Sequence, residues 1–197
     1  MGDPKFLRRT YDTPKHPWEA GRMEEERKLL QKYGLKNKRE LWKAQSILRR
    51  IRRQARDLQA RLRAGETQAK RETDQLLARL TRLGVLAVGT PTIDDVLALS
   101  TEDLLKRRFE WIVFSRGLAP TTFGARQWIV HGHMAIGDHR VTRPGYLVGS
   151  AEEGRIQYAP TSPIANDEHV VRIALRERLN ARAAPTEAPA PAPEGGA

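Results

Sequence analysis

RRFEWIVFSRGLAPTTFGARQWIVHGHMAIGDHRVTRPGYLV, residues 107–148, decides the fold of this chain. Starting just upstream at Leu104, apolar residues at Leu105, Phe109, Ile112 and Val113 share one helical face, and Lys106, Arg107 and Arg108 cluster near the start of that helix. Gly117 stops it, because the residue after a last helical turn often needs a positive φ that glycine takes without steric cost. Pro120 leads into a second short helix with Thr121 or Thr122 as its N-cap. Ala125, Trp128 and Ile129 form the apolar stripe of this helix, Arg126 falls on the opposite side, and Gly132 ends it. Strand and turn follow: Met134 and Ile136, a tight turn at Gly137-Asp138, Val141, then Pro144-Gly145 ahead of Tyr146, Leu147 and Val148. The pattern predicts an α+β module, two short helices on a small bent sheet, with cations at the helix ends where a phosphate backbone would meet them.

Upstream the chain reads as mainly helical. A first helix is expected over residues 21–33, with Glu24, Glu25 and Glu26 near its start and Gly34 at its end. Asn37 and Glu40 form an approximate capping box for the next helix. Leu41, Ala44, Leu48, Ile51, Ala55, Leu58 and Leu62 then recur at alternating spacings of three and four, which keeps them on one face. Lys38, Arg39, Lys43, Arg49, Arg50, Arg52, Arg53 and Arg56 occupy the rest of the surface and would repel one another unless a polyanion relieved them. A coiled-coil dimer is the competing reading, but the repeat is too short and too rich in alanine to favour it. Gly65 breaks the chain before a third helix that buries Leu76, Leu77, Leu80 and Leu83, and Thr92–Asp95 and Ser100–Asp103 mark two further N-caps.

The charge balance agrees with that layout. The 197 residues carry 35 Lys and Arg against 24 Asp and Glu. Residues 1–63 alone hold 19 and 8, so the whole formal excess of +11 lies in the first third. A concentrated cationic block attracts polyanions through counterion release, nucleic acid above all. A lipid surface would need a bulky apolar face left open, and the apolar face here is committed to a core. No apolar run approaches the roughly 20 residues that span a bilayer, and the N-terminus lacks a signal-like apolar block, so a soluble cytoplasmic protein is expected. The absence of cysteine excludes disulfides and cysteine-based zinc sites.

The domain boundaries read as a basic extended arm over 1–20, a helical basic RNA-binding domain over 21–102, the module over 103–165, a C-terminal helix over 166–183 and a disordered tail over 184–197. Pro4, Pro14 and Pro17 argue against helix in the arm, whose cations include Arg8 and Arg9 and whose Phe6, Tyr11 and Trp18 favour a bound extended segment. Asn166 is read as the cap of the last helix, with Val170, Ile173, Ala174 and Leu175 apolar. The final APTEAPAPAPEGGA lacks any anchoring residue.

Three stretches carry a resemblance to a known family. GLAPTTFGARQWIVHGHMAIGDHRVTRPGYLV, with its Gly-Leu entry, Ala-Arg-Gln helix, Gly-His pair and Gly-containing turn before a basic strand, is similar to the RNA-binding module of small-subunit ribosomal protein S-four. That module also occurs in pseudouridine synthases, a tRNA synthetase and a heat-shock RNA binder. MGDPKFLRRTYDTPKHPW and KYGLKNKRELWKAQSILRRIRRQAR resemble the archaeal and eukaryotic branch of the ribosomal family itself. The resemblance implies direct rRNA binding early in assembly of the small subunit, neighbouring small-subunit proteins as partners, and a contact with ribosomal protein S-five that influences decoding accuracy.

Within the module, Lys106, Arg107, Arg108, Arg116, Arg126, Arg140 and Arg143 are the expected phosphate contacts, against Glu110 and Asp138. Thr121, Thr122 and Gln127 would add hydroxyl and amide contacts to phosphate and ribose, although either threonine serves equally as a cap. His131, His133 and His139 with Asp138 invite a metal hypothesis, but His131 and His133 straddle Gly132 and should diverge, so they read as donors to RNA or as turn packing. No HExxH, nucleophile elbow, P-loop or GxGxxG occurs, and neither a catalytic site, a cofactor nor a small-molecule substrate is expected. The competing function is a stand-alone RNA-binding factor or an RNA-modification accessory built on the same module. A modifying enzyme would need a further catalytic domain of about 150 residues.

Overall fold

The second helix, α2 (Lys38–Arg63), is the spine on which the rest is assembled in the computed structural model, which describes residues 9–87 and 89–183. Its apolar stripe performs as the spacing predicts, with Leu41, Ala44, Leu48, Ala55 and Leu58 buried. The helix α1 (Ala20–Tyr33) packs on its start, and α3 (Thr67–Arg82) and α4 (Ile93–Ala98) pack on its far half. There Leu48, Ala55, Leu58, Leu76, Leu80, Leu86, Val96 and Leu99 form one core. The Thr92–Asp95 and Ser100–Asp103 capping boxes are both present, each with reciprocal side-chain and backbone bonds, and they start α4 and α5 (Thr101–Lys106).

The expected single helix from Leu104 is interrupted. α5 ends at Lys106, and α6 (Phe109–Ser115) begins only after a two-residue gap. The backbone in that gap is taken by another segment: Phe109 N–H donates to Tyr146 O, Val148 N–H donates to Arg107 O, and Arg108 bridges Leu147 in antiparallel fashion. Residues 146–148, read as a strand from their apolar content, supply that bridge and join no sheet. The helix α7 (Thr122–Val130) then follows as predicted, with the Thr121 hydroxyl accepting from Gly124 N–H.

The sheet has three antiparallel strands in the order β2 (His139–Arg140), β1 (Met134–Ile136), β3 (Ile156–Tyr158). Ala135 faces Arg140 on one side and Gln157 on the other. β3 and the short helix α8 (Ser150–Glu153) before it are additions to the sequence reading. Phe109, Ile112, Val113, Ala125, Ile129, Met134, Val148 and Ile156 fill the core between α6, α7 and the sheet. Trp128 is half-buried against that core and lies 6.3 Å from Tyr158.

A third core, Tyr33, Leu35, Leu41, Ala44, Leu104 and Leu105, joins the helical region to the module through Trp111 and Leu147. Gly34 sits in this joint with φ +66°, and a Cβ there would lie 2.8 Å from that of Thr122, so only glycine fits. The last helix, α9 (Val170–Ala183), starts later than Asn166, with the His169 ring accepting from Val171 N–H. Only Leu175 of its expected apolar residues is buried, while Val170 and Ile173 are exposed. The expectations for Arg8 and for the tail over 184–197 lie outside the described residues.

Candidate nucleic-acid interface

Arginines gather on the face of α2 that its packing leaves open. Arg49, Arg50, Arg53 and Arg56 line a recess of about 470 Å³ together with Arg9, Thr10, Asp12 and Ser46. The arm makes the other wall: Asp12 accepts from Arg49 at 2.8 Å, its N–H donates to Ser46 Oγ at 3.1 Å, and Tyr11 lies 6.1 Å from the Trp42 ring. Arg9 rests over Tyr11 at 4.6 Å. Five guanidinium groups face one carboxylate, which is the electrostatics of a groove for a polyanion backbone. The arm residues at 9–12 are therefore held on the protein, while Trp18 is 88% exposed. The arm's role as a wall was missed in the sequence, because nothing local to Asp12 points to Arg49.

A second cleft, of about 410 Å³, opens between α2 and the module. Lys43 and Ile47 line it from α2, and Thr142, Arg143, Pro144 and Gly145 line it from the module. Lys43 and Arg50 are seven residues apart and so share a face of α2, which puts the cleft and the recess on the same side of that helix. Arg39, Gln127, His131 and Arg140 are also exposed, with Arg140 packed over Gly132. Lys106 pairs with Asp103 at 3.2 Å, and Arg116 approaches Glu153 at 3.9 Å.

Several predicted contacts turn inward instead. Arg52 donates to Leu99 O and ties α2 to the end of α4. Lys38 pairs with the buried Glu26, which also accepts from Trp42 Nε1; Glu26 thus anchors the α1–α2 turn, and the first turn of α1 holds no acidic residue. Arg107 donates to Glu153 at 2.8 Å and to Val148 O at 2.9 Å. Thr122 is buried under Gly34. His133 Nδ1 is bonded to Ser162 Oγ at 2.8 Å, and among the described residues no group of three His, Asp or Glu is placed to hold a metal.

The largest departure concerns Arg126, which the helical wheel places opposite the core. Its guanidinium reaches into the joint, where Nη2 donates to Glu40 Oε1 at 2.6 Å and Nη1 to Glu110 Oε2 at 3.1 Å. Arg108, itself buried, donates to Glu40 Oε2 at 2.8 Å. The physical reason is Glu110, fully buried within the apolar run FEWIVF, which needs a cation nearby. One acid inside an apolar helical face was the sequence signal for this cluster.

Burial pushes the Glu110 carboxyl up to about 7, assisted by the Glu40 charge and opposed by Arg108 and Arg126. Glu40 moves the other way: burial raises it, but Arg126 and Arg108 outweigh that and hold it below the usual carboxylate range. For Glu110 the folded state keeps its proton to higher pH than the unfolded chain does. Its contribution is full below about pH 4.5 and is lost as pH rises through about 7. Glu110→Gln should therefore gain stability relative to wild type between those values. Urea midpoints near pH 5 and pH 8 check it, and an equal difference at both would contradict it.

Sequence comparison places this geometry. A family described as "S4 domain" matches residues 107–153, and one described as "Ribosomal protein S4/S9 N-terminal domain" matches residues 5–106. The small ribosomal subunit protein uS4 of Thermoplasma acidophilum is 47% identical over 175 residues, covering 89% of this chain and 87% of the relative. That of Picrophilus torridus is 48% identical over 175 residues, covering 89% and 95%. That of Methanococcus maripaludis is 49% identical over 180 residues, covering 91% and 99%. The boundary between the two family matches falls at Lys106–Arg107, the point where α5 ends and the Arg108 bridge begins. With both matches adjoining and relatives near half identity along most of its length, the chain belongs to the small ribosomal subunit protein uS4 family.

Proposed function

We propose that this protein is a structural constituent of the small ribosomal subunit that binds small-subunit rRNA directly and helps to nucleate assembly of the subunit body. The observation that carries this is the arginine recess of α2, five guanidinium groups against one carboxylate, with Lys43 and Arg143 at the cleft on the same side of the helix. Arg39, Arg50, Arg53, Arg56, Lys43, Arg140 and Arg143 are the phosphate contacts in this reading, with Arg9 and Arg49 on the arm side. Gln127 and His131 extend the surface along α7. The cytoplasmic ribosome is the location, and among the described residues no helix is long and apolar enough to cross a membrane. Family membership further supports a contact with ribosomal protein S-five and a share in translational accuracy.

Gradient sedimentation of cell extracts tests the reading. The protein should migrate with small subunits and stay with them through a moderate-salt wash, as a core component does. Recovery in the light fractions alone would reject it in favour of a free RNA-binding factor.

A further inference from the structure

We infer that Glu40 is a positioning residue for RNA binding: it locks the helical region and the module in one orientation, so that their two cationic surfaces engage the same RNA together. This rests on the RNA-binding reading above. Glu40 lies in the first turn of α2, within the helical match, whereas Arg108, Glu110 and Arg126 lie within the module. Its two carboxylate oxygens are both used across that boundary, Oε1 by Arg126 at 2.6 Å and Oε2 by Arg108 at 2.8 Å and Arg126 at 3.1 Å.

The apolar joint around Tyr33, Leu41, Leu104 and Leu105 supplies cohesion, and the close approach of Gly34 to Thr122 fixes one point of contact between the two units while leaving rotation about that point to be set elsewhere. A forked guanidinium–carboxylate pair does fix an angle. Glu110, fully buried on the module side, holds Arg126 at 3.1 Å and Arg108 at 3.5 Å, so Glu40 docks on cations that are already placed.

What the lock aligns is visible beside it. Lys43, one turn along α2 from Glu40, and Arg143 of the module line the same cleft. They form one surface only while the two units keep their angle. Linked binding surfaces add their affinities when geometry lets both engage, and a preformed arrangement avoids the ordering cost. Glu40 also has a local duty, but a separable one: Asn37 Oδ1 accepts from its backbone N–H, which Glu40→Gln leaves in place.

The sign of the effect separates this role from simple electrostatics. Removing an acid from a cationic surface should tighten polyanion binding, and exchanging Arg for Lys should leave it nearly unchanged. The lock requires both Glu40→Gln and Arg126→Lys to weaken binding of transcribed small-subunit rRNA, on the order of tenfold, at temperatures well below melting. Residual dipolar couplings on the RNA-free proteins should show a broader spread of angles between the two units in both variants, while couplings within each unit stay as in wild type. Binding by Glu40→Gln equal to or tighter than wild type, or unchanged inter-unit couplings, would overturn the proposal. Wild-type protein that fails to bind rRNA would sink the functional reading instead, and the couplings measured without RNA would still decide the lock.

Discussion

Replacing Arg126 with alanine is expected to lower the melting temperature by roughly 6–12 °C, a loss of about 3 kcal/mol for a chain of this size. A surface arginine would cost binding and leave folding alone, which is what the wheel of α7 suggests. In the fold, Arg126 is the nearer of the two cations that compensate Glu110, a carboxylate with no solvent exposure. Removing one partner of a buried pair costs about 3–5 kcal/mol because the other charge is stranded. The lower end applies because Glu110, already pushed up to about 7, escapes part of the penalty by taking a proton. The loss should therefore be larger at pH 8 than at pH 6. A variant that melts within a degree or two of wild type at both values would mean that the cluster carries no stability.

The second large effect falls on the open face of α2. Replacing Arg50, Arg53 and Arg56 together with alanine should weaken binding to small-subunit rRNA on the order of 100-fold near physiological salt, about 0.9 kcal/mol per arginine. The slope of log K against log salt should shrink by about two or three released counterions. These three side chains are exposed and lie on the recess wall, so thermal melts should coincide with wild type. An early melt would place them in the structure, and an unchanged affinity would move the RNA off this face.

The elements legible in the sequence were those fixed by short-range physics. The apolar stripe of α2, the Thr92 and Ser100 caps and the Gly34 stop each depend on residues within about one turn, and each stands where its spacing puts it; of the two threonines open as the α7 cap, Thr121 takes that place. The departures come from long-range partners. The helix from Leu104 broke because residues 146–148 claim its backbone at Arg107–Phe109. Strand β3 was passed over because Ile156–Tyr158 is too short for alternation to register and is defined by its pairing with β1. The candidate interface divided the same way. Arg50, Arg53 and Arg56 are exposed because helical phase alone puts them there. Arg52, Arg107, Arg108 and Arg126 turned inward because a carbonyl or carboxylate far along the chain receives them. Helical phase tells where a Cβ points, and a long guanidinium stem still reaches round to a buried acid.

The central claim, that one cationic surface grips structured small-subunit rRNA, is tested most directly by the salt dependence of wild-type binding. Dissociation constants for the folded rRNA measured across a series of monovalent salt concentrations should rise steeply, with a slope equivalent to on the order of five or more released counterions. A flat response would contradict the account, because the α2 recess and the cleft at Lys43 and Arg143 would then be solvated surface and not the RNA contact.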